Sequence, residues 1–206
     1  MTTYVSESGA GAEKRSETAL PPRPPFWLRV SVVQGNGLQL AGLLVGVGLL
    51  AAAANIEAVT AVSVLLMLLG WYAIYVCCHA IAHWLVGRAV GIQFVGYGLR
   101  GTDHPQDYPP AVRRVVGYLP TFTAMTDKAS MQRARPVAKA LMFGAGDTST
   151  TICSILVGWY AWRSGMPGGL VLLVAMVIFS LFSTAVTASV PRGDYAKARR
   201  ALRRPD

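Results

Sequence analysis

The chain has 206 residues, of which 53% are hydrophobic and 14% charged, and it carries a net charge of +9. A mean hydropathy of +0.42 over that length excludes an ordinary soluble domain and puts a membrane protein first. The positive surplus does not point to nucleic acid: no binding motif accompanies it, and the basic residues fall in the gaps between apolar runs.

Residues 1–30 are polar and mixed in charge, with "LPPRPP" near their end. They predict a disordered tail with a stiff proline spacer, not a signal peptide. Four apolar runs follow, at 37–54, 59–86, 138–162 and 169–190. Each meets or approaches the ~20 residues that a helix needs to cross a hydrocarbon core. The expected fold is therefore an all-α integral membrane protein, a four-transmembrane-helix bundle over 31–190. The first run carries "GLLVG", a small-xxx-small pair that lets a neighbouring helix approach closely. The second places Tyr72, Tyr75, His79 and His83 on one face, the third Gly144, Asp147, Thr150, Thr151 and Ser154, and the fourth Ser180, Ser183, Thr184 and Thr187. Three polar faces predict a compact bundle with a polar interior.

The connection 87–137 is too long for a turn and not apolar enough to span, so it needs structure of its own. "VGIQFVGYGLRG" reads as one or two short strands, "AVRRVVGYLP" as a short interfacial helix, and "TDKASMQRARP" as another helix capped by Thr126 or Asp127. Residues 191–206 form a basic tail in which "RGDYAKARRALRR" reads as an amphipathic helix lying on anionic headgroups. All 19 lysines and arginines except Arg163 lie before the first run, between the second and third, or after the fourth. An even number of spans puts those segments on one side, and positive charge marks it as cytoplasmic. Both termini are thus expected inside the cell, with the cell membrane as the location and the lipid bilayer as the constant partner. Cys77, Cys78 and Cys153 all fall within spans and read as small hydrophobes.

Ionisable groups at membrane depth are few: His79, His83 and Asp147. At 1.5 Å per residue, His79 lies ~13 Å inside Arg88 and Asp147 ~12 Å inside Lys139, so the three are expected level with one another. Two imidazoles and a carboxylate make the ligand set of a catalytic zinc site with one position open. The same residues also satisfy one another as a metal-free hydrogen-bonded cluster. Because His79 and His83 share one face, a bis-histidine haem is not the reading.

"HAIAHWLVGRAVGI", late in a long hydrophobic helix and followed by the glycine-punctuated strand-like stretch, resembles the site-2 protease family of intramembrane zinc metalloproteases. That resemblance implies zinc held by the two histidines of H-E-x-x-H and by an aspartate on a later membrane helix, with the glutamate activating water. His79 and His83 match the histidines, and Asp147 in "GAGDTST" is the candidate aspartate. Ala80 stands in the glutamate's place. Alanine can neither take nor return a proton, and general acid–base catalysis typically contributes 10²–10⁴-fold. Tyr75, Cys78, Asp103 and His104 offer no convincing replacement. The expectation is a degenerate member, a pseudoprotease that keeps a divalent ion and binds a partner's transmembrane segment. An active membrane metallohydrolase with another base, and a structural protein without metal, are the alternatives.

Overall fold

The computed structural model describes residues 25–56, 60–102, 105–108 and 110–203. The expected tail up to residue 24, together with Glu57, Asp103 and His104, lies outside them. In chain order the elements are β1 (Leu28–Val30), α1 (Val32–Asn55), α2 (Thr60–Ala89), β2 (Phe94–Arg100), a short 3-10 turn (Pro105–Asp107), α3 (Pro110–Tyr118), β3 (Thr121–Thr126), α4 (Lys128–Arg133), α5 (Pro136–Arg163), α6 (Gly169–Ser189) and α7 (Asp194–Arg203). Helices α1, α2, α5 and α6 are long and apolar enough to cross a membrane, and they coincide with the four apolar runs.

Local chemistry sets the helix ends. Ser31 and Gln34 form a capping box at the start of α1, with the Gln34 amide donating to Ser31 Oγ at 3.3 Å and the Ser31 amide to Gln34 Oε1 at 3.1 Å. Helix α2 stops where Gly91 takes a left-handed φ of 88° and the Ile92 amide donates back to the Gly87 carbonyl at 2.8 Å. Asp127 caps α4, its carboxylate accepting from the Ser130 amide at 2.7 Å.

Helices α1 and α2 cross where side chains are missing: a Cβ on Gly42 would sit 2.3 Å from Cys77 Sγ, and one on Gly46 2.9 Å from the Gly70 carbonyl. Helix α5 is central, packing on α2, α6 and α7. The apolar core lies toward one end of the bundle and joins Leu50 and Ala53 of α1, Met67 and Ile74 of α2, Val157 and Ala161 of α5, and Met166. The polar faces meet in the interior as expected: Trp71 Nε1 donates to Ser154 Oγ at 2.9 Å, and the Thr151 and Thr184 hydroxyls lie 3.4 Å apart.

The connection builds a three-stranded antiparallel sheet in the order β1-β2-β3. Two of those strands are additions to the sequence reading. β1 comes from residues assigned to the tail, and β3 from a stretch assigned no structure. β1, of three residues, is too short to show a hydrophobic alternation, and both strands are held by hydrogen bonds that β2 supplies, Arg29 opposing Gly98 and Tyr97 opposing Ala124. Fully buried Tyr97 fastens the sheet to α1: its hydroxyl donates to Asn36 Oδ1 at 2.5 Å, and its ring occupies the space a Cβ on Gly35 would need. Burial pushes the Tyr97 phenol up to about 12.

Candidate metal centre

Helix α2 brings His79 and His83 together as neighbours on one face, with their ring centroids 4.8 Å apart. Both rings lie against Gly146 of α5, where a Cβ would fall 2.2 Å from His83 Nε2 and 2.8 Å from His79 Cε1. The glycine of "GAGDTST" is thus what allows α5 to approach the two imidazoles. His83 is buried, and its Nδ1 lies 2.6 Å from the Met142 carbonyl. A carbonyl only accepts, so Nδ1 carries a proton and Nε2 is the ring nitrogen that faces the site.

The third member is Asp194, the first residue of α7. Its Oδ2 lies 3.0 Å from His83 Nε2 and 3.3 Å from His79 Nε2, and the two Nε2 atoms are 3.2 Å apart. These three atoms form a nearly equilateral triangle. A tetrahedral ion holding nitrogen and oxygen ligands at ~2.0–2.1 Å spaces them ~3.3–3.4 Å apart. His79, His83 and Asp194 can therefore hold a metal ion. The other carboxylate oxygen, Oδ1, accepts from Lys197 Nζ at 2.8 Å. Burial works to raise the Asp194 pKa, but the contacts with His79 and His83 and the Lys197 charge outweigh it and hold the carboxyl well below its usual range.

Of the residues singled out in the sequence, His79 and His83 come together, and Asp147 lies level with them as the depth arithmetic required. Asp147 is beside the triangle, not in it: its Oδ1 is 3.9 Å from His79 Nδ1, the ring nitrogen opposite the one that faces Asp194. Its Oδ2 is buried without a hydrogen-bond partner among the described residues. Ala80 is fully buried.

Asp194 is the member of this cluster that sequence reasoning missed, because it stood in a segment assigned to the lipid surface. That segment is helical, and α7 packs on α5 and α6, with Ala196 buried and the Tyr195 hydroxyl 3.1 Å from Thr148 Oγ1. The return is made at Pro191–Gly193, where the Gly193 amide donates to the Val190 carbonyl at 2.9 Å and a Cβ would fall 2.0 Å from the Thr187 carbonyl. The available signal was a proline and a glycine directly after an apolar span, followed by an acid in an otherwise basic segment. No family model, curated protein or solved structure matches this chain.

Proposed function

We propose that this chain is a membrane-embedded zinc protein with a site-2-protease-like core, which binds a transmembrane segment of a partner without cleaving it. The observation that carries the reading is the ligand triangle: three groups from α2 and α7, spaced 3.0–3.3 Å apart, within a few tenths of an ångström of the ~3.3–3.4 Å that a tetrahedral ion requires. Two imidazoles and one carboxylate suit zinc better than the harder magnesium or calcium. The metal-free alternative has to place a lone-pair-bearing His83 Nε2 against a carboxylate oxygen and a second imidazole nitrogen, which needs an added proton. The non-hydrolytic part rests on Ala80, which supplies no proton acceptor at the position where the resembled family has its glutamate. The basic segments support placing the sheet and both termini on the cytoplasmic side.

Metal analysis of the protein purified without chelators tests the site: one equivalent of zinc is expected, with none in His79→Ala, His83→Ala or Asp194→Ala. A native chain free of stoichiometric metal would sink the reading. Cleavage of co-expressed transmembrane substrates tests the rest. Activity that disappears in His83→Ala would show the chain to be a hydrolase. A reporter fused near Asp127 should be cytoplasmic.

A further inference from the structure

A histidine that presents Nε2 to an ion must carry its proton on Nδ1, and that proton needs an acceptor. For His83 the acceptor is the Met142 carbonyl at 2.6 Å. For His79 the group on the Nδ1 side is the Asp147 carboxylate, at 3.9 Å. We propose that Asp147 is the outer-sphere carboxylate of the metal centre, accepting the Nδ1 proton of His79 and fixing the tautomer whose Nε2 faces the ion.

The proposal rests on the metal reading above and assigns Asp147 a role other than ligand. Three observations favour it. Asp147 Oδ1 needs to move only about 1 Å to reach N–H···O distance from His79. Among the described residues its buried Oδ2 has no partner at hydrogen-bond distance, the neighbouring Thr187 hydroxyl donating to the Thr184 carbonyl at 3.3 Å. The groups that act electrostatically on Asp147 are Asp194, His79 and His83. The two carboxylates packed around this histidine pair repel each other, and a dication held between them reverses that balance. Lys197 adds one further positive charge, on a side chain 36% exposed at the solvated edge of the cluster.

The experiment is metal titration of the full chain, with Zn²⁺ for affinity and Co²⁺ for the coordination spectrum, on the native protein, Asp147→Asn and Asp194→Asn. Asp147→Asn should weaken Zn²⁺ binding by roughly 10–100-fold while leaving one ion per chain and the native Co²⁺ spectrum. Asp194→Asn should alter the spectrum. Native-like affinity in Asp147→Asn, or a spectrum altered in the same way as by Asp194→Asn, overturns the outer-sphere role and leaves the metal reading standing. A native chain that takes up neither ion overturns both. Nitrogen NMR of the zinc-loaded native chain gives a readout that needs no variant: His79 should be metallated at Nε2 and protonated at Nδ1, and the reverse pattern would refute the proposal.

Discussion

The two ends of this helical bundle solve opposite packing problems. At one end, α1, α2 and α5 close around Met67, Ile74, Val157 and Ala161, with Gly46 and Gly70 letting the backbones approach. At the other, α2, α5 and α7 close around two imidazoles and two carboxylates, with Gly146 letting the rings in. In a bilayer the first gains from van der Waals fit, because lipid is as apolar as the side chains it replaces. The second must answer the cost of burying ionisable groups, and only mutual pairing or an ion can do so. Glycine serves both ends, with different consequences: its loss spoils packing at one and ligand geometry at the other.

That contrast can be broken most sharply at Asp194. Its replacement by Ala removes one corner of the proposed ligand triangle and a contact that holds α7, and should lower metal affinity on the order of 10²-fold or more, as read by competition with a chelating dye. Gly146→Ala comes next: a methyl 2.2 Å from His83 Nε2 has to displace the ring, so ion binding should fall while the helical content by circular dichroism stays native. Gly144→Ala is its control, since nothing lies within 4 Å of a Cβ there, and it should gain up to about 1 kcal/mol from helix propensity. In the apolar half, Met67→Ala should cost about 2 kcal/mol in detergent unfolding through its cavity and leave metal affinity at the proposed site unchanged. The smallest effect is expected for Trp71→Phe, which deletes the bond to Ser154 Oγ at 2.9 Å and should cost about 0.5–1.5 kcal/mol, again without moving the ion.

Legibility in the sequence followed the range of the interactions. The four long helices, the α4 cap at Asp127 and the pairing of His79 with His83 depend on residues within a few turns of each other, and hydrophobic runs and spacing report them directly. The level placement of Asp147 also followed, because helix rise converts residue number into depth. Strands β1 and β3 did not follow, since each is held by a partner strand distant in the chain. Nor did Asp194, whose charge pattern alone fits a helix on headgroups.

The sequence by itself determined how many helices this protein has, which of their faces are polar and which two histidines stand together, because apolar length and helical period are local properties. Only the tertiary structure decided which carboxylate completes the triangle. Asp147 and Asp194 are both partly buried acids near His79, and they differ in which ring nitrogen each one meets, a matter of a few ångströms set by the turn at Pro191–Gly193 and the approach of α5 at Gly146. Distances of that size come from packing among segments 59 to 111 residues apart, where no spacing rule along the chain can reach.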